Sequence, residues 1–112
     1  MINYKDLLGI PYKLHGRDRT GYDCYGLAIE VLRRMGFKLT DLHFLCGEVK
    51  RMKETDKGDY SDIILFFDKN GHTVHIGVLL NEESFIHCDL YGVRVSDIKE
   101  FGSNWRLFKW HD

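Results

Sequence analysis

From Asp62 onward the chain is a succession of short apolar segments divided by turn residues, whereas before it the apolar residues recur three and four apart. Ile63-Ile64-Leu65-Phe66-Phe67 is a continuous apolar run, fit for a central strand covered on both faces, and Asp68-Lys69-Asn70-Gly71 is a strong turn signal after it. Residues 74–80 supply a second strand, 84–88 a third and Val93-Arg94-Val95 a fourth. A helical turn over 97–101 precedes a last strand within 105–110. Helices first and an antiparallel meander afterwards predict an α+β domain.

In the first half, Leu27, Ala28, Val31, Leu32 and Met35 form one apolar helical face, with Glu30, Arg33 and Arg34 on much of the other and Gly36 as the stop. Asp23 is placed as the N-cap, so Cys24 takes the first helical position. Unpartnered N–H groups and the positive helix end favour a thiolate there, which predicts a nucleophilic cysteine of lowered pKa. A short opening helix is expected over 4–8, ended by Gly9 and Pro11, and a structured loop over 9–22. A second helix is expected over 41–52, capped by Thr40, with Leu42, Leu45, Cys46, Val49 and Met52 on its apolar face. Cys46 reads there as a small core hydrophobe.

The 112 residues, without repeat, linker or low-complexity tract, predict one domain over 1–112. A net charge of −1 excludes the clustered basic footprint that nucleic acid or anionic membrane requires. The densest basic stretch, Lys50-Arg51-Met52-Lys53, runs at once into Glu54 and Asp56 and reads as a solvated helix end. The first residues lack a basic-then-apolar export pattern and no apolar run reaches spanning length, so synthesis in the cytoplasm and no membrane span are expected. Three cysteines, none in a Cys-x-x-Cys pair, suit free thiols in a reducing compartment.

A cysteine nucleophile needs a base, and histidine is the usual one. His75 opens His75-Ile76-Gly77-Val78-Leu79-Leu80 and shares a strand face with Gly77, whose missing side chain leaves room beside it. If the following loop is the three residues 81–83, position 80 pairs with 84 and 77 with 87, making His87 a same-face diagonal neighbour of His75. An even loop would put the two rings on opposite faces. In the three-residue case His87 can hold the His75 ring and fix its tautomer, the orienter's role beside a base. His15 and His72 lie in loops, His43 in the second helix and His111 at the tail, and all four read as solvated. Asp59 and Asp62, near the start of the central strand, also read as loop solvation. Cys24, Cys46, Cys88, His75 and His87 are zinc-ligand types but lack paired short spacings, and Cys88 should face away from His87, so neither metal nor cofactor is implied.

These residues resemble the NlpC-type cell-wall cysteine peptidases, a bacterial and phage branch of the papain-like fold. The likeness runs in order through Gly9-Ile10-Pro11-Tyr12, Gly16-Arg17-Asp18, Gly21-Tyr22-Asp23-Cys24-Tyr25-Gly26-Leu27, the strand at 62–67, His75-Ile76-Gly77-Val78 and Phe85-Ile86-His87. The resemblance implies a nucleophile at a helix start packed on an antiparallel sheet, with Cys24 as nucleophile, His75 as base and His87 as its polar orienter. It implies oxyanion contacts from Tyr12 and the Cys24 N–H, and contact of Asp23 with the free amine of a peptide stem. The implied reaction is attack on the bond between γ-D-glutamate and a diamino acid in peptidoglycan peptides, through a thioester. The commonest motif of the family has Ser after the Cys. Here Tyr25 stands there, closer to an Asp-Cys-Trp-Gly-Leu variant of phage tail proteins, and its ring reshapes the pocket that grips the substrate. Phage-tail partners and action at the wall after phage delivery or export are therefore expected. The competing readings are a thiol amidase for a different bond and a silent tail module that keeps the fold for docking.

Overall fold

The computed structural model describes residues 1–37 and 52–110. Helix α1, Cys24–Arg34, is capped by Asp23, whose Oδ1 accepts the Gly26 N–H at 2.7 Å. Leu27, Ala28, Val31 and Leu32 are buried on one face, and Gly36 follows the helix at φ 99°. On the other face Glu30 pairs with Arg34, and Arg34 reaches Asp6 at 2.7 Å, tying α1 to the opening segment. That segment is a 3-10 turn, Lys5–Leu7, where a short helix was expected over 4–8.

The loop over 9–22 carries a two-stranded ribbon, β1 (Arg17–Asp18) and β2 (Gly21–Tyr22). The main sheet is antiparallel and contains β3 (Met52–Thr55), β4 (Ile63–Phe67), β5 (Thr73–Leu79), β6 (Ser84–Asp89), β7 (Gly92–Asp97) and β8 (Trp105–Trp110). Among the described residues their order is β3-β8-β4-β5-β6-β7. The helix expected over 41–52 falls outside the described residues except for Met52, which opens β3 instead. Met52 is buried while Lys53 and Glu54 face solvent, as suits a strand at the edge of the sheet among the described residues, paired there with β8.

Alternation along the strands divides the core in two. Ile63, Leu65, Ile76, Val78, Leu80, Ile86, Cys88 and Val93 pack with Leu27, Val31 and Leu32 of α1. Ile64, Leu79, Phe85 and Leu107 pack on the opposite face with Phe66, Phe101 and Trp105, beneath the connection from β7 to β8. Each fully buried Leu, Ile or Phe contributes about 1.5–3 kcal/mol relative to exposure.

The β5–β6 hairpin has the three-residue loop anticipated from the sequence. Asn81 Oδ1 accepts the N–H groups of Glu83 and Ser84 at 2.8 and 2.9 Å, and the Leu80 N–H reaches the Ser84 carbonyl at 2.9 Å. Pairing continues as Leu79↔Phe85 and Val78↔Ile86. On the other side of β5 the register shifts between Phe66↔His75 and Phe67↔Thr73, so exposed Val74 is an extra residue immediately before His75. Such bulges bend a strand and re-aim the neighbouring side chain.

Asp62 is not a solvated loop residue. It is 6% exposed, accepts the Asp59 N–H and pairs with Lys109 at 2.7 Å, fixing the turn into β4. No helix among the described residues is long and apolar enough to cross a membrane.

Candidate active site

Cys24 occupies the first position of α1, half-buried, as its place after the Asp23 cap requires. Close packing sets this position. A Cβ on Gly26 would collide with the Gly16 carbonyl, and one on Gly16 with the Gly21 carbonyl, so the loop lies directly on the first turn of α1. Pro11, Tyr12 and Lys13 run beside the chain entering the helix: the Tyr22 N–H binds the Pro11 carbonyl, the Lys13 N–H binds the Tyr22 carbonyl, and Tyr12 bridges Tyr22. Buried Cys88 donates to the Tyr22 carbonyl at 3.2 Å, and burial pushes its thiol up to about 12, a packing role. As alternation predicts, Cys88 shares the helix side of the sheet while His87 faces away from it.

His75 and His87 meet directly. His75 Nε2 lies 2.8 Å from His87 Nδ1, with ring centroids 5.0 Å apart. His87, 1% exposed, continues through Nε2 to the buried Ser96 Oγ at 2.9 Å. Phe66, Phe85 and Phe101 surround the two rings. The space beside Gly77, expected to be open, is filled by Phe85 and Ile64, whose atoms a Cβ there would strike. The glycine thus lets the Phe85 ring pack against β5 while lying 4.5 Å from the His87 ring, centre to centre.

Pairing of β5 with β6 extends through Val78↔Ile86 and not further toward His75, and at this parting Cys24 reaches β5. Its sulfur is faced by the backbone N–H groups of Ile76, Tyr25 and its own residue. The nucleophile candidate therefore contacts the residue next to the base candidate, without a direct hydrogen bond between sulfur and imidazole.

The electrostatics differ from the sequence expectation. Burial, and secondarily the Asp23 carboxylate, hold the Cys24 thiol above its ordinary value against the pull of those three N–H groups. His75 is depressed by burial, and His87 is taken down to about 4 by burial and by the neighbouring His75. All three directions favour the neutral thiol and the neutral imidazoles, the opposite of the thiolate expected from the helix start. Asp23 is also more engaged than expected: Oδ1 both caps α1 and pairs with Arg17 Nη1 at 2.7 Å, and the Arg17 guanidinium lies 5.7 Å from the centre of the Tyr25 ring.

Three residues of this neighbourhood were missed from sequence: Ser96, Arg94 and Asp89. Arg94 stands directly across from His87 in the β6–β7 register, and Asp89 follows His87 by two on the same face. Extending the expected fourth strand by one residue would have placed Ser96 on that face as well.

Comparison with known proteins agrees with this architecture. The profile of the NlpC/P60 family matches residues 9–111. The chain is 30% identical over 105 residues to a Bacillus subtilis protein named Probable peptidoglycan endopeptidase LytE, covering 91% of this chain and 29% of that one. It therefore spans less than a third of the length of this curated relative. Among solved structures, the NlpC/p60 domain of peptidoglycan hydrolase SagA superposes with a TM-score of 0.66 at 24% identity, over 91% of this chain and 89% of that one. An NlpC/P60 family protein from Bacillus cereus ATCC 10987 gives 0.78 at 19% identity, over 94% and 36%. NlpC2 from Trichomonas vaginalis gives 0.76 at 21% identity, over 95% and 43%.

Proposed function

The chain belongs to the NlpC/P60 family, and from that premise we propose that it is a cysteine peptidase that cuts peptidoglycan stem peptides between γ-D-glutamate and the diamino acid. The observation that carries the reading is the 2.8 Å bond between His75 and His87 beside a thiol at the start of α1. In the productive tautomer His87 Nε2–H donates to Ser96 Oγ and His75 Nε2–H donates to His87 Nδ1, leaving His75 Nδ1 as the base. His75 Nδ1 takes the Cys24 proton as sulfur bonds to the scissile carbonyl carbon and the π pair moves to oxygen. The Cys24 N–H and the Tyr12 hydroxyl stabilise that oxyanion. Its collapse expels the amine of the diamino acid, which takes the proton from His75 and leaves a thioester. Water, deprotonated by His75, then releases the carboxylic acid and restores the thiol. Asp23 and Tyr25 line the substrate side of the nucleophile. Peptidoglycan being outside the cell, the substrate is met after export or delivery by a phage tail.

A second reading, a silent docking module, draws support from the raised Cys24 pKa. Incubation with a defined stem tetrapeptide and mass spectrometry decides between them. Two fragments are expected from the native chain, none from Cys24→Ala and almost none from His75→Ala, together with an acyl adduct on Cys24 at short times. Undiminished turnover by Cys24→Ala would overturn the mechanism, and an intact tetrapeptide with the native chain would favour the docking module.

A further inference from the structure

Both carboxylates that flank the candidate site are matched by arginines. Asp23 pairs with Arg17, and Asp89 pairs with Arg94. In each pair the arginine is the more exposed partner, 33% against 15% and 40% against 24%. The carboxylates lie behind the guanidinium groups, so a substrate group arriving here meets N–H donors first and is better matched if it is an acceptor.

Arg94 is built for that contact. Its Nε and Nη2 both donate to Asp89 Oδ2, at 3.0 and 2.6 Å, so Nη1 takes part in neither bond. Asp89 is itself held, its Oδ1 accepting the Tyr91 N–H at 2.9 Å, and the Tyr91 ring lies 5.6 Å from the guanidinium carbon. The side chain is therefore fixed without being used up. The β6–β7 register sets it opposite His87, which is bonded to His75. The hairpin tip carrying Tyr91 is anchored next to the Tyr12 segment, since the Val93 N–H binds the Ile10 carbonyl and the Gly9 N–H binds the Val93 carbonyl. Exposed Leu90 and Tyr91 give the same edge an apolar wall.

We infer that Arg94 is a specificity residue that receives a carboxylate of the substrate beside the scissile bond. This rests on the peptidase reading above, in which each γ-glutamyl linkage places an α-carboxylate a few bonds from the carbonyl under attack. With Nε–H and one Nη2–H held by Asp89, Arg94 presents its outer edge, Nη1–H beside the second Nη2–H. This planar pair of donors discriminates a carboxylate from the isosteric carboxamide, which is neutral and offers only one acceptor oxygen. The site thus selects stem peptides whose γ-linked glutamate keeps its free acid over those amidated to isoglutamine.

The test is calorimetric titration of the full chain carrying Cys24→Ala with two synthetic tripeptides, Ala-γ-D-Glu-Lys and its isoglutamine counterpart. The acid is expected to bind roughly tenfold or more tightly than the amide. Adding Arg94→Gln should abolish that ratio by weakening the acid alone, and Arg94→Lys, which keeps the charge but loses the fork, should restore part of it. Equal affinity for the two peptides, no binding of either, or an equal loss for both in Arg94→Gln overturns the proposal. Turnover by the native chain reports separately on the peptidase reading: cleavage of both peptides at one rate leaves that reading standing without Arg94, and binding selectivity without cleavage does the reverse.

Discussion

Ser96 shows how much a single hydroxyl can decide at the residue scale. His87 Nδ1 can accept from His75 only if His87 Nε2 carries the proton, and Ser96 Oγ, 2.9 Å from Nε2, is the acceptor that this proton requires. The reverse tautomer would turn the His75 lone pair toward His87 and leave a proton on Nδ1, the nitrogen proposed as the base. Ser96→Ala is thus expected to lower kcat about tenfold with KM little changed, and to cost about 1–3 kcal/mol for an orphaned buried N–H. Ser96→Thr, which retains the oxygen, should recover the rate; a purely structural role would show as a lowered melting temperature at unchanged kcat. The Cys24 pKa was misread from sequence for a related reason. A helix start argues for a depressed thiol, and three N–H groups do face the sulfur, but burial removes water from it and, secondarily, the Asp23 carboxylate that caps the helix opposes a second negative charge.

At the scale of elements, helix propensity and packing oppose each other at Gly26. In an exposed helix interior Gly→Ala is worth about 1 kcal/mol of added stability. Here the new Cβ meets the Gly16 carbonyl, a backbone atom that cannot swing aside. Gly26→Ala is expected to reverse the sign, lowering stability by about 1–3 kcal/mol and activity by more, since the displaced loop carries Arg17 and adjoins Tyr12; a melt and a rate measurement on the same protein check it. What could be read from sequence at this scale follows from period. Helix α1 and strands β4 to β8 stood out because burying one face imposes 3.6- or 2-residue spacing, and the odd loop over 81–83 correctly joined His75 to His87. β3 escaped because Met52-Lys53-Glu54-Thr55 offers one apolar residue, and pairing with β8 is a long-range event with no local mark. The bulge at Val74, immediately before His75, left no trace in composition either.

The same buried histidines tie the stability of the whole molecule to pH. His87 is neutral in the fold, with its pKa down at about 4 against about 6.5 in a free chain, and burial depresses His75 in the same direction. Between those values the unfolded chain binds more protons than the native one, so stability falls as pH falls through that window. For His87 alone the loss is about 2 kcal/mol between pH 7 and pH 5, and His75 adds to it. Ion-paired carboxylates such as Asp6 and Glu30, held low by their arginines, also lose stability in acid, but only near and below their ordinary range around 4. The interval from pH 7 to 5 therefore isolates the histidines. Urea unfolding across it should move the midpoint steadily downward in the native chain and much less in His87→Gln, whose amide carries no titratable proton; a native midpoint flat to pH 5 would mean that His87 takes up its proton in the fold as readily as in the free chain. A charged His87 has no lone pair for His75, so the same titration that reads global stability also reads the pH range over which the candidate base keeps His87 as an acceptor.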